Sequence, residues 1–416
     1  MAVKVIGTHS GPFHADDVMA CAILQLHPDY KTAVIERSRD RAVLDNCHIV
    51  VDVGGEFCHE KRRYDHHQKD FYLTMEKISD GKIRSRTKLS SAGLIFYYYG
   101  EAVIRDHLGL EKDKDMSKTE WIFKRLYNYL INEIDFIDNG GAPSSYQIIK
   151  TGFTQRICRL NPRWDQEDAD FDGQFKKALS RATEEFLETL MSIELNHKAK
   201  LVLSEKILEM KDDHESGKVV IFQKHISVNP VICEVEKEAE MEGQILFVIN
   251  PSMTSECFGV NAVFNRIQFP EDWAGLEGEE LERATGVKGA HFVHLNRHLA
   301  ITETRQAAVE LVNIVLQQRE ATGAQQRNQM IDSVKEVLGR IHLDDRQRGE
   351  KMEMKRTEAV WRPGCGAWRQ REQRKMAESG EGFSVERTER VTKEFGGCWN
   401  SEKGRRQRLQ GRGETD

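Results

Sequence analysis

Side chains able to hold a metal stand at the ends of apolar runs through the first 140 residues, and this ordered placement constrains the fold more than any bulk property. His9 follows an apolar run at residues 3–7, and His14 and Asp16 frame the start of a helical pattern at 15–26 in which Val18, Ala22 and Leu26 share one side. Asp52 closes the apolar stretch 48–53, which Gly54-Gly55 breaks. Asp65, His66 and His67 lie in Tyr64-Asp65-His66-His67-Gln68. Asp135 and Asp138 end a helix predicted over 121–136 and stopped by Asn139-Gly140-Gly141. Strand, loop and helix in alternation predict a parallel α/β sheet, and in such sheets ligands gather beyond the carboxyl ends of the strands. One His or Asp in such a place is more often a hydrogen-bonded structural residue or a turn residue. The repetition along the chain is what points to a metal site. Imidazole and carboxylate without cysteine suit Mn²⁺, Zn²⁺, Fe or Mg²⁺ better than a thiolate-bound soft metal. Two cations about 3.5–4 Å apart need a bridging carboxylate, and Asp52, alone between two His-containing loops, is the natural bridge.

Ser90-Ser91 is placed to cap a helix over 92–99. Residues 174–210 predict one long helix bridging two domains. A second, smaller α+β module follows, with strand-like segments at 219–222, 245–249, 258–264 and 290–295. A helix over 304–318 has Ala308, Val309, Leu311, Val312 and Val315 as its core face. Beyond 322 the pattern weakens, with one further amphipathic helix expected at 330–341, and residues 351–416 hold 16 Lys or Arg against 11 Asp or Glu. The expected division is therefore a metal-binding catalytic domain with its helical linker at 1–205, an α+β substrate domain at 206–322, and a charged, largely disordered tail at 323–416.

Composition narrows the function. With 39% hydrophobic and 31% charged residues, and no apolar run of membrane-spanning length, a membrane protein is not expected. A formal charge of −6 argues against coating nucleic acid by bulk charge but leaves room for a local basic channel. The eight cysteines form no CxxC pair and the first residues enter a strand pattern at once, unlike a signal or transit peptide. The expected compartment is intracellular, the cytoplasm or the nucleus.

Several segments resemble a known family in order. They are Gly7-Thr8-His9-Ser10-Gly11-Pro12-Phe13-His14-Ala15-Asp16-Asp17, Val51-Asp52-Val53-Gly54-Gly55, Tyr64-Asp65-His66-His67-Gln68, Lys88-Leu89-Ser90-Ser91-Ala92-Gly93-Leu94 and Ile134-Asp135-Phe136-Ile137-Asp138-Asn139-Gly140. Together, and with Arg159-Leu160-Asn161-Pro162-Arg163-Trp164, they closely resemble the melanocyte proliferating gene (Myg) family. That family is DHH-like and related to RecJ nucleases and manganese-dependent inorganic pyrophosphatases. The resemblance covers roughly residues 1–322. It implies a parallel-sheet DHH phosphoesterase domain, a helical linker and a smaller α+β domain. It also implies a metal-dependent 3′–5′ exonuclease acting on RNA, with two divalent ions, Mn²⁺ or Mg²⁺.

Carried onto this chain, the resemblance implies that His9 and His14 hold one ion. Asp16, His66 and one of Asp135 and Asp138, with Asp138 favoured, hold the other, and Asp52 bridges. His67 would face the scissile phosphate, with Asp65 orienting it. Arg37 and Arg39 in Glu36-Arg37-Ser38-Arg39-Asp40, Lys88 before the Ser90 cap, and His294 are candidate phosphate ligands. Arg297, Ala300 and Ile301 stand where the family carries glycines. Two alternatives keep the same centre: a small-molecule phosphoesterase or pyrophosphatase, and a non-catalytic binding protein stabilised by metal.

Overall fold

The computed structural model describes residues 3–141 and 151–360, with side chains to 336. A first sheet is built by β1 (Val5–Thr8), β2 (Val34–Arg37), β3 (Ile49–Val51), β4 (Phe57–Cys58) and β5 (Arg63–Tyr64), in the order β2-β1-β3-β5-β4. All neighbours are parallel except the edge pair β4–β5. The predicted parallel α/β architecture is what forms. β2 was not predicted as a strand; it is a short edge strand whose residues alternate between exposed and half-buried, a pattern easily taken for a charged loop.

α1 (Ala15–Leu26) has the predicted bounds, and its residues from Ala15 to Leu24 are all buried. It packs against α4 (Ser91–Leu108) and α8 (Phe171–Leu208), so nearly every side of it meets protein. Helices α2 (Arg41–Leu44) and α3 (Met75–Ile78) are single turns capped by Asp40 and Thr74. Ser90 caps α4, accepting from the Gly93 N–H, and the helix continues well past residue 99 to a left-handed Gly109. The helix predicted over 121–136 is two helices, α5 (Met116–Leu126) and α6 (Asn132–Asp138), joined by a π-helical turn at Tyr127–Ile131. Such a turn inserts one extra residue and resets the facing of the next helix. After α7 (Phe153–Cys158), one long helix α8 forms, as predicted, and leads to the second sheet.

That sheet comes after α9 (Met210–Asp213). It comprises β6 (Val219–Ile221), β7 (Phe247–Pro251), β8 (Phe258–Ala262), β9 (Ala290–Val293) and β10 (Leu299–Thr302), in the order β6-β7-β8-β10-β9. α10 (Ile232–Glu238) follows β6, and α11 (Gly278–Thr285) precedes β9. Ala300 and Ile301, read in the sequence as part of a loop, lie in β10 and pair with β8 and β9. Ala300 is buried, and short apolar side chains serve the sheet core there. Arg297 occupies the β9–β10 turn at φ 56°, a conformation that favours glycine.

Residues Met1–Glu320 form one compact unit and Ala321–Asp416 another. α12 (Arg305–Val360) begins in the first, where Ala308, Leu311, Val312 and Val315 are buried as predicted. Residues 323–360, expected to be largely disordered, are helical. No proline interrupts 305–360, and the segment is rich in Ala, Glu, Gln, Lys, Arg and Met, which are strong helix formers. Composition read for hydrophobicity alone misses that propensity. The remainder of the expected tail, 361–416, lies outside the described residues. No described helix is long and apolar enough to cross a membrane.

The first sheet's layers and the second sheet meet through charge as well as apolar packing. Glu234 on α10 accepts from Trp121 Nε1 at 2.6 Å, Arg125 Nη2 at 2.6 Å and Lys200 Nζ at 2.9 Å, joining α5 and α8 to the second sheet's layer. Burial works against the Glu234 carboxylate, but these donors outweigh it and hold it down at about 2. A depressed folded-state value stabilises the fold fully above the unfolded value of 4.5, and that contribution is lost as pH falls toward 2. Glu234→Gln should therefore cost roughly 1–3 kcal/mol at neutral pH. In urea denaturation followed by Trp fluorescence, the gap from wild type should hold above about pH 5 and close progressively below it. A gap of constant size down to pH 2 would contradict this.

Candidate metal centre

β1 delivers His9, and the loop after it turns at Gly11 (φ 84°) to reach His14 at the start of α1. Asn161 clamps this loop from the far side: its Oδ1 accepts from Phe13 N at 2.9 Å and its Nδ2 donates to Phe13 O at 2.7 Å. β3 delivers Asp52 with φ 57°, a left-handed conformation uncommon for a residue with a side chain. Strain of this kind persists where the surroundings over-determine it, and here Asp52 N donates to Tyr64 O at 3.0 Å, tying it to β5. β5 in turn delivers Asp65, His66 and His67.

The imidazoles and carboxylates converge. His9 Nε2 is 3.4 Å from both Asp17 Oδ2 and Asp52 Oδ2. His66 Nε2 is 3.6 Å from Asp16 Oδ2, 3.6 Å from Asp52 Oδ1 and 3.0 Å from Asp138 Oδ2. His67 Nδ1 is 3.6 Å from Asp52 Oδ1. Three sets have ligand atoms all within 4.8 Å of one another: His9, His14, Asp17 and Asp52; Asp52, His66 and His67; and Asp16, His66 and Asp138. Asp52 belongs to two of them and His66 to two. Residues spread over about 130 positions of sequence thus meet in one place.

Two observations test whether a cation fits. Asp17 Oδ2 and both ring nitrogens of His66 are buried with no hydrogen bond of acceptable geometry, although carboxylates surround them. Buried polar atoms are rarely left so, and a cation held by their lone pairs would satisfy them. The potential is also strongly negative. Burial alone would lower the His66 pKa, yet the Asp138 and Asp52 carboxylates push it up to about 10. Burial disfavours the charged His9 too, and Asp52 and Asp17 more than compensate. Burial raises Asp16, with the Asp52 charge adding to it, and raises Asp17 to about 7. Burial opposes ionisation of Asp52, but the neighbouring His66 and His9 imidazoles hold it well below the usual carboxylate range. Four carboxylates this close are stabilised by divalent cations, and a mixed set of carboxylate and imidazole donors fits a divalent metal.

The helix α4 closes the site from below. Asp16 accepts from the N–H groups of Ser91 and Ala92, and Ser91 Oγ donates to Asp52 Oδ1 at 3.4 Å. Asp135 was a candidate ligand, but it lies in none of the three sets. Its Oδ1 accepts from Ser90 N at 2.9 Å and Ser90 Oγ at 2.8 Å, and its Oδ2 accepts from Tyr127 OH at 2.9 Å. A Cβ at Gly93 would collide with that carboxylate. Asp135 therefore anchors α4, while Asp138, three residues on and on the same side of α6, faces His66. Asp65 Oδ1 accepts from His67 N at 3.0 Å and sits 2.7 Å from His67 Nδ1, and its Oδ2 accepts from Gly55 N at 2.6 Å. Burial opposes its charge, and these bonds keep its pKa below the ordinary value. The Asp65 hydrogen bond also raises His67.

A cavity of about 350 Å³ opens over the centre, lined by His9, His14, Asp16, Arg39, Asp52, His67 and Asp138, and by residues of α6 and α7. Arg39 is the one candidate phosphate ligand among its lining residues; Nη2 lies 3.3 Å from His9 Nδ1. Arg37 is engaged elsewhere: Nη1 donates to Asp172 at 2.7 Å, Nη2 to Gly11 O at 2.6 Å, and Phe175 covers its face at 4.4 Å. Lys88 lies over the Phe71 ring at 5.4 Å. His294 sits in the β9–β10 turn, where its Nδ1 accepts from Asn296 N at 3.0 Å. These three are not lining residues, because packing and local turns use them first. Asp17 was not among the expected ligands. Its signal is a second acidic residue in the first turn of a helix buried on every side, which cannot be told from a cap in sequence alone.

Comparison with known proteins places the chain among relatives. A family profile named MYG1_exonuc and described as an uncharacterised protein family (UPF0160) matches residues 5–316. MYG1 exonuclease of Homo sapiens is 34% identical over 333 residues, covering 77% of this chain and 87% of that protein. MYG1 protein of Dictyostelium discoideum is 33% identical over 337 residues, covering 77% and 99%. A solved structure of exonuclease RecJ bound to manganese matches at a TM-score of 0.22 and 14% identity, covering 74% of this chain and 89% of that one. By extent of match and by identity, the chain belongs to the MYG1 exonuclease family.

Proposed function

We propose that this enzyme, a metal-dependent phosphoesterase, is a 3′–5′ exonuclease that removes mononucleotides from RNA and holds two divalent ions, Mn²⁺ or Mg²⁺. The observation that carries the reading is the three overlapping ligand sets, two sharing Asp52 and two sharing His66, beneath one cavity. His9, His14 and Asp52, with Asp17, would hold one ion, and Asp16, His66 and Asp138 the other, with Asp52 between them. Bound there, the ions supply an activated water and neutralise charge developing on the phosphoryl group. The names of the relatives, MYG1 exonuclease, support a nucleic-acid substrate.

The chain's own groups do the rest. Arg39, at the rim beside His9, receives a phosphate oxygen and orients the scissile bond. Asp65 fixes the His67 ring through Nδ1, leaving Nε2 as the ring's other polar atom. His67 is 64% exposed and lines the cavity, so it can meet the phosphate. Its raised pKa, due first to the Asp65 hydrogen bond, favours the protonated form, which donates to the phosphoryl or leaving oxygen. A small phosphoester is a second substrate class. The β9–β10 hairpin favours it, because Ala300 and Ile301 are strand residues there and offer no open glycine loop to a polymer backbone.

Metal binding is expected to appear in stability before activity. Mn²⁺ at 100 times its Kd should stabilise the fold by about 2.7 kcal/mol, read as a raised melting temperature that a chelator reverses. Asp52→Asn should abolish that rise, and an undiminished rise would remove Asp52 from the centre.

With 5′-labelled RNA and Mn²⁺ or Mg²⁺, wild type should shorten the strand one nucleotide at a time from the 3′ end. Asp52→Asn should slow this at least about 100-fold. Asp65→Asn should cost about 10–100-fold with the metal-induced melting shift retained. Turnover of a panel of small phosphoesters with the RNA left whole would transfer the assignment to the second class.

A further inference from the structure

One stretch of the cavity is unexplained by the metal centre. Thr154, Gln155 and Cys158 of α7 line it, next to Ile134 and Ile137 of α6. Thr154 is only 7% exposed, and its Oγ1 has no hydrogen-bond partner among the described residues. Helical threonines usually satisfy this atom on a backbone carbonyl one turn back. Thr119, Thr183, Thr189 and Thr285 do so here, at 2.7–2.9 Å. Thr154, the second residue of α7, has no turn of its own helix before it to take the hydroxyl, and it is a lining residue of the cavity. Gln155 beside it is exposed to the same space.

The chemistry of this wall differs from the rest. The histidines, Asp52, Asp138 and Arg39 address cations and phosphate. A hydroxyl and a primary amide both donate and accept, so they match neutral hydroxyls. Ile134 and Ile137 give an apolar surface for the carbons of a sugar or base. A cavity of about 350 Å³ lies within the range of small-ligand pockets.

We propose that α7 is the ribose-recognition wall, with Thr154 Oγ1 taking the 2′-hydroxyl of the terminal nucleotide and Gln155 supporting it. Thr154 is thus a specificity residue that separates RNA from DNA, since the 2′-hydroxyl is the group that distinguishes them. The inference rests on the RNA reading above and deepens it.

The test is calorimetric binding of AMP and of 2′-deoxy-AMP to the full chain with Mn²⁺. Wild type should bind AMP about tenfold tighter, the scale of one buried hydroxyl contact. Thr154→Val keeps the side-chain shape. It should weaken AMP to the level of 2′-deoxy-AMP, while Thr154→Ser keeps the preference. Gln155→Ala, on an exposed side chain, should weaken AMP severalfold, and it decides the matter should Thr154→Val fail to fold. A preference that survives Thr154→Val, equal weakening of both nucleotides, or no preference in wild type would each overturn the proposal. Ribose preference lost in Thr154→Val but with no RNA cut by wild type would sink the exonuclease reading and leave this site standing. RNA cleavage with an unchanged preference in the variant would do the reverse.

Discussion

The carboxylate of Asp52 is the point on which the rest of the molecule turns. It is held at φ 57° after β3, its N–H tied to Tyr64 on β5, and His9, His66 and His67 approach it within 3.4–3.6 Å. A strained backbone conformation and a buried charge are both unfavourable alone. Together they are stable because three imidazoles and a helix N-terminus converge on the same spot. The parallel register of β1, β3 and β5 makes that convergence possible, since it lines up the carboxyl ends of strands that are distant in sequence.

The centre is wired into the core through α4. Asp16 from α1 and Asp135 from α6 both grip the first turn of α4 by its N–H groups and the Ser90 hydroxyl, where the helix dipole favours negative charge. Gly93 admits the Asp135 carboxylate where any side chain would block it. The two acids of α6 look alike in sequence but divide the labour: Asp135 builds the scaffold and Asp138, one helical turn on, faces the ligands. The π-helical turn before α6 sets that facing, and Tyr127 within it completes the Asp135 cage.

This arrangement stores electrostatic tension. Without cations, protons on His9 and His66 are the nearest compensation for Asp16, Asp17, Asp52 and Asp138. The raised values of these histidines come from the surrounding carboxylates overriding burial. Binding a divalent ion must release those protons, so metal affinity rises with pH and the ion contributes to folding as well as chemistry.

What the sequence determined was the identity and order of the reactive groups, and the periodicity that places most of them. β1, α1, β3, α8 and four of the five strands of the second sheet are legible because apolar alternation and helical spacing are local properties. β2 and β10 were less legible, since short strands take their character from neighbours that only the sheet supplies. The helix through 323–360 was legible over 330–341 only, because the rest forms from propensity with little apolar patterning. Only tertiary structure decided which acids are ligands and which are struts, that Arg37 is spent on Asp172 and Phe175 while Arg39 reaches the cavity, and that Asp17 and Thr154 carry unpartnered atoms. The reason is physical: a side chain's role here depends on which partners lie within hydrogen-bonding or ion-pairing reach, and those partners come from residues far away along the chain. Residue type sets what a group can do; packing sets what it is left free to do.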